Sequence, residues 1–186
     1  MTAVRAWVQE SPIGELLLAS TDVGVAAVEW GPTEVARTRV SSLGAVTDDV
    51  DGDVADAIRA YFDGDLDAFA GLTIDWRLAE SGFRREVLAA LHRLEPGALT
   101  SYGQLAHDVG KPGAAQAVGQ AVGSNPVPVI VPCHRVISAD GSLGGFSGGL
   151  SVKRALLAHE GFADLPGGWR KAGQDPVEGQ LALDLG

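Results

Sequence analysis

Alternation of apolar and polar residues marks the first part of the chain, and helical spacing takes over further along. Val4 to Val8 alternates, as do Glu15 to Ala19 and Val23 to Trp30, with Ser11-Pro-Ile-Gly14 as a turn. This predicts a meander of strands. Residues 31–52 are weakly patterned, with a short helix expected within Thr33 to Leu43 and a polar loop at Thr47-Asp-Asp-Val-Asp-Gly52. Apolar residues at 54, 58, 61 and 62 have helical spacing, so Asp53 to Phe62 reads as a helix stopped by Gly64. Leu72, Ile74, Trp76 and Leu78 alternate and predict one more strand. Residues 1–80 thus read as a small α/β unit, a sheet with one helix laid over it.

A boundary follows near Ala79-Glu-Ser-Gly82. Ser81 is a candidate N-cap for a helix over Phe83 to Leu94, whose Phe83, Val87, Leu88, Leu91 and Leu94 form one apolar stripe. Pro96-Gly97 ends it. Thr100 or Ser101 caps a second helix running to Val109, Lys111-Pro-Gly113 breaks the chain, and Ala114 to Val122 forms a third. Two short helices joined by a tight glycine-containing turn, behind a supporting helix, make a helix-turn-helix. Ordinary three-helix packing has the same outline. Ala115, Ala117, Gly119 and Ala121 favour the DNA-binding form, because such a surface can approach a groove closely.

Past the third helix, Val129-Ile-Val131 is an apolar run between Pro128 and Pro132, which predicts a stiff, extended segment. Ser138-Ala-Asp-Gly-Ser142 is a turn and Gly144-Gly-Phe-Ser-Gly-Gly149 a glycine-rich loop. Val152 to His159 is a last helix with Leu156 and Leu157 facing inward. Residues 162–186, rich in Gly and Pro with Trp169 and Leu181-Ala-Leu-Asp-Leu185, are expected to form a flexible or loosely docked tail.

Composition narrows the class. With 46% hydrophobic and 20% charged residues among 186, the chain can bury a real core. A single cysteine excludes an internal disulfide framework, and neither a signal peptide nor an apolar run long enough for a membrane span is seen. The expectation is a cytoplasmic, monomeric protein without a membrane partner. The net charge of −10 argues against nucleic acid only when taken whole. Residues 1–80 hold 5 Lys/Arg and 15 Asp/Glu, while residues 81–161 hold 7 against 5. The second half is thus open to DNA.

The candidate chemistry sits there too. Cys133 is followed directly by His134 and Arg135. A thiol reacts as its thiolate, of which only a few per cent forms at neutral pH without help. A neighbouring imidazole that takes the proton raises that fraction. A lone cysteine can also be merely structural; the proline frame and the adjacent His134 and Arg135 favour the reactive reading.

Pro132-Cys-His-Arg-Val136, preceded by Asn125-Pro126, resembles the alkyl-acceptor motif of the O6-alkylguanine-DNA alkyltransferases. The resemblance runs from Phe83 through Ser101-Tyr-Gly-Gln-Leu-Ala106, Ala117-Val-Gly119 and the cysteine motif to Gly145-Phe-Ser-Gly-Gly149 and Lys153 to Glu160. It implies an α+β protein with an N-terminal ribonuclease-H-like α/β domain (1–80), then a winged helix-turn-helix domain carrying the acceptor (81–161) and the tail (162–186). It also implies single-turnover transfer of an alkyl group from O6-alkylguanine, and from O4-alkylthymine, in double-stranded DNA to Cys133. On the same resemblance no cofactor is expected, and the helix-turn-helix is expected to enter the minor groove.

On the same resemblance His134 takes the thiol proton through a water also held by Glu160, Tyr102 donates a proton to the leaving base, and Asn125 braces the cysteine turn. Phe146, Ser147 and Gly148 close over the extruded base. Ala115, Gln116, Ala117, Gly119, Arg135 and Val136 are assigned to the DNA or substrate face. Some members bind zinc in the first half, but residues 1–91 contain no His or Cys, so no metal site is expected. Two departures stand out: Gln116 replaces the arginine that fills the gap left by the flipped base, and Phe146 replaces a tyrosine. The first leaves open a specialised or engineered acceptor that reacts mainly with free guanine derivatives or another small alkyl donor. A lesion-binding relative would lack the acceptor cysteine, and a thiol hydrolase would turn over.

Overall fold

The computed structural model describes residues 3–79 and 82–172. Strands β1 (Ala3–Gln9), β2 (Leu16–Ser20) and β3 (Val25–Trp30) form the expected antiparallel meander. Helix α1 (Glu34–Ser41), capped by Thr33, leads to β4 (Ala45–Thr47), which pairs parallel with β1 and gives the order β3-β2-β1-β4. Helix α2 (Gly52–Phe62) follows, and Gly64 with φ 108° comes just after it. β2 is buried along its whole length because both faces of the sheet are covered. Leu17 and Ala19 share a core with Ala36 and Val40 of α1; Leu16 and Leu18 share one with Val54 and Ile58 of α2. The expectation of a sheet covered by a single helix therefore misses α1's face.

The strand expected over Leu72 to Leu78 is reduced to a single bridge, Val25 to Ile74, before a 3-10 turn at Trp76–Ala79. Asp75 is the cause. Its carboxylate accepts from Arg77 N at 3.1 Å and from Thr21 Oγ1 at 2.7 Å, and a side chain that bonds the backbone two residues on turns the chain out of a ladder.

In the C-terminal half, α3 (Phe83–His92) packs on α4 (Tyr102–Asp108) and α5 (Ala115–Gly123). Ser101 caps α4 by accepting from Gln104 N at 3.0 Å. The cap of α3 is Gly82, which makes no side-chain bond; Ser81 lies outside the described residues. Strand β5 (Thr100–Ser101) pairs parallel with β6 (Val136–Ile137), tying the entry of α4 to the chain just past the cysteine. Helix α6 (Leu150–His159) follows the glycine loop. One apolar cluster runs from Leu16 and Val28 of the sheet through Val87 and Leu88 to Val131 and Cys133, so both halves share a core.

Residues past 161 do not begin as a loose tail. Strands β7 (Phe162–Leu165) and β8 (Gly168–Lys171) form a hairpin whose Phe162 packs with Leu143 and Leu157, and Trp169 lies against them. Close approach demands glycine here: a Cβ on Gly168 would fall 2.6 Å from Gly141 Cα. The Leu181–Leu185 segment lies outside the described residues. Among the described residues, no helix is long and apolar enough to cross a membrane.

Candidate active site

Asn125 builds the turn that presents the cysteine. Its Oδ1 accepts from Val127 N at 3.0 Å, and its Nδ2 donates to Val131 O at 2.8 Å. Val131 N returns to Val127 O at 2.9 Å, and Pro126, Pro128 and Pro132 bring no N–H to leave unpaired in a buried turn. The expected extended segment is thus a folded loop. Val129 takes φ 74°, a left-handed conformation that costs a β-branched residue on the order of 1–3 kcal/mol, and Cys133–Arg135 is a 3-10 turn. The Asn125 bonds and full burial hold this strain in place.

Cys133, only 2% exposed, lies at the bottom of a cleft of about 520 Å³. Tyr102, first residue of α4, forms one wall. Ala115, Gln116, Gly119, Val122 and Gly123 form another, spaced three and four apart so that one face of α5 looks into the cleft. The third wall is Gly145, Phe146 and Ser147 of the glycine loop.

Burial pushes the Cys133 thiol up to about 11, against the opposing pull of an Asn125 hydrogen bond and the Lys153 ammonium. Lys153 is itself fully buried. Its Nζ donates to Val136 O at 2.6 Å and to Leu143 O, and burial brings its ammonium down to about 8, opposed by a Cys133 thiolate. Burial, and then the charge of Cys133, raise the Tyr102 phenol, which keeps its proton available for donation at neutral pH.

Behind the cysteine, Glu160 gathers four donors. His134 Nε2 lies 2.7 Å from Oε1, Arg135 Nε donates to Oε2 at 2.7 Å, Arg135 Nη2 to Oε1 at 2.9 Å and Tyr61 Oη to Oε1 at 2.8 Å. Burial alone would raise the Glu160 carboxyl, but the bonds from His134 and Arg135 hold it near 2. Burial lowers His134 despite its bond to that carboxylate, so the ring is neutral at pH 7. Among the described residues, its buried Nδ1 has no hydrogen-bond partner and is free to take a proton.

Residues 82–162 match the family described as 6-O-methylguanine DNA methyltransferase, DNA binding domain. A methylated-DNA–protein-cysteine methyltransferase of Salmonella typhimurium is 37% identical over 163 residues, 82% of this chain and 92% of that protein. The chain belongs to the methylated-DNA–protein-cysteine methyltransferase family. A Shigella flexneri protein of the same name is 44% identical over 111 residues, 60% of this chain and 64% of that one. The crystal structure of Mycobacterium tuberculosis OGT in complex with DNA superposes with a TM-score of 0.70 at 34% identity, covering 85% of this chain and 92% of that one.

The methyltransferase motif residues divide by depth. Cys133, Tyr102, Ala115, Gln116, Gly119, Phe146 and Ser147 come together around the cleft, with Asn125 beneath. Gly148 packs against Trp30 and Phe146 outside the lining, and Ala117 is exposed away from it. Ala121, counted with the groove-facing small residues, is buried in the core instead. Arg135 and Val136, assigned to the DNA face, are also interior. Arg135 is 5% exposed and spends its guanidinium on Glu160, and Val136 is held in β6. His134 contacts Glu160 directly, without needing a bridging molecule on that side.

Three contributors escaped sequence reasoning. Tyr61 reads as one more member of α2's apolar stripe, although a buried tyrosine needs a partner for its hydroxyl. Lys153 stands three and four residues before Leu156 and Leu157 on α6's inward face, and a lysine there is the available signal. Trp30, whose Nε1 donates to Ser147 Oγ of the cleft wall at 3.3 Å, gives no signal, since a tryptophan ending a strand is ordinary.

Proposed function

We propose that this protein repairs alkylated DNA by transferring the alkyl group of O6-alkylguanine, and of O4-alkylthymine, once and irreversibly to Cys133. The carrying observation is a buried thiol at the bottom of a cleft walled by α5 of the helix-turn-helix, backed by the His134–Glu160 pair. His134, neutral at rest, takes the Sγ proton, and Glu160 stabilises the imidazolium that results. Sγ attacks the alkyl carbon in line, an S–C bond forms, and the C–O6 bond breaks with its electron pair going to the base. Tyr102 gives the base a proton and is reprotonated, so in balance the thiol proton ends on the base. The lesion enters the cleft extruded from the duplex, at a cost of a few kcal/mol. The protein works as a cytoplasmic monomer and needs no cofactor.

Intact-mass measurement tests this. Incubation with a duplex carrying O6-methylguanine should add one methyl group per protein, on Cys133, and Cys133→Ala should add none. Substrate consumed without a lasting adduct would mean a hydrolase. A second reading, an acceptor acting mainly on small donors, is favoured by the neutral, exposed Gln116 at the cleft. It predicts that free O6-benzylguanine reacts faster than the duplex.

A further inference from the structure

β3 reaches the active site from the N-terminal half. Its Val28 N donates to Pro126 O at 2.9 Å, which fastens the edge of the sheet to the segment that Asn125 folds beneath Cys133. Residues two apart on a strand point to the same face, so Trp30 emerges just beyond this anchor. There it meets the glycine loop. Its ring lies 5.6 Å from that of Phe146 at 58°, and its Nε1 donates to Ser147 Oγ at 3.3 Å. Gly148 passes so close that a Cβ there would be 2.8 Å from Trp30 Cε2.

Phe146 and Ser147 wall the cleft over Cys133; Trp30 stands behind them. A loop with glycine at 144, 145, 148 and 149 has little conformational preference of its own, so outside contacts set its position. Among the described residues, Trp30 makes the one side-chain hydrogen bond that reaches Phe146–Gly149 from another element. Lys153 Nζ holds the Phe146 ring from within at 5.9 Å.

We infer that Trp30 is a specificity-determining positioning residue: it fixes how far the glycine-loop wall stands from Cys133, and thereby which alkyl groups react. This rests on the alkyl-acceptor function proposed above. A methyl group makes few contacts of its own and needs the wall in place to lie in line with Sγ. A benzyl group fills the cleft and settles against the wall wherever the wall stands. Loss of the indole therefore slows methyl transfer more than benzyl transfer.

The test measures second-order rates with one duplex sequence carrying either O6-methylguanine or O6-benzylguanine, so that changes in DNA affinity cancel. Trp30→Ala should raise the benzyl-to-methyl rate ratio about two- to tenfold, the size of a lost aromatic pair. Trp30→Phe, which keeps a ring against Phe146, should move it less. A folded Trp30→Ala protein whose two rates fall by the same factor, or do not change, overturns the inference and leaves Trp30 as packing. If Trp30→Ala does not fold, Trp30→Leu decides by the same ratio. An unsubstituted protein that gains no mass on Cys133 from either duplex overturns the proposed function itself, whereas a reactive protein with an unmoved ratio overturns only the role of Trp30.

Discussion

Tyr61 on α2 donates its hydroxyl to Glu160 Oε1 at 2.8 Å, joining residues 99 apart in the chain. Both are buried, and the phenol's own ionisation is pushed far up by burial and by the Glu160 charge, so it acts only as a donor. The N-terminal half thus reaches the His134–Glu160 pair proposed to serve Cys133.

Tyr61→Phe should therefore do two things. Removing a hydrogen bond to a buried carboxylate should cost about 1.5–3 kcal/mol of stability, read by chemical denaturation. The carboxylate left with fewer donors becomes more basic and favours an imidazolium at His134. The acid limb of the alkylation rate should consequently move to higher pH. A stability loss with an unmoved pH profile would confine Tyr61 to packing.

The pH dependence of the rate separates internal from external proton transfer. His134 sits below its ordinary value and Cys133 near 11. Passing the proton between them does not change the protonation of the pair, so the rate with free O6-benzylguanine should be flat around neutrality. It should fall in acid as His134 protonates. Lys153, which loses its proton near 8, sets the upper end of the plateau, because its charge favours the thiolate. His134→Ala should be slower at pH 7 and climb about tenfold per pH unit, as solvent alone ionises the thiol. Combining His134→Ala with Glu160→Gln should add little further loss. A rate in His134→Ala equal to the unsubstituted protein's at pH 7 would rule out the relay.

Glu160 also carries stability. Its carboxyl titrates near 2 when folded against an ordinary 4.5, so the stabilisation is fully present above about 4.5 and is lost as pH falls through about 2. That difference corresponds to on the order of 3 kcal/mol. Glu160→Gln should cost about 3–5 kcal/mol at pH 7, because it leaves buried Arg135 without an anion, and should flatten the acid dependence. A loss below about 1 kcal/mol would mean that Arg135 finds another partner.

Gln116 is exposed at the mouth of the cleft, where the duplex is proposed to bind. An arginine there would fill the space of an extruded base and neutralise phosphate, and each phosphate neutralised adds roughly 0.9 to the slope of log affinity against log salt. Gln116→Arg should raise the rate with duplex O6-methylguanine and leave that with free O6-benzylguanine almost unchanged. Equal gains on both substrates would place Gln116 outside the DNA contact.

Local patterns in the sequence determined most of the elements and singled out the candidate cysteine. The meander, α1 to α6 and the cysteine motif could be read because alternation, helical spacing and caps are properties of neighbours along the chain. The strand over Leu72 to Leu78 could not be judged that way, since Thr21, far off in sequence, helps hold Asp75 in its turn. The extended form expected before Cys133 failed similarly: Asn125 folds that segment through bonds to Val127 and Val131. The resemblance assigns Arg135 to the DNA or substrate face, and only the tertiary structure places Glu160 where it can be paired in the interior. Tyr61, Lys153 and Trp30 owe their contacts to the docking of the two halves or to the packing of α6. Those contacts join residues far apart in the chain, and no periodicity along it records which side chains meet across a core.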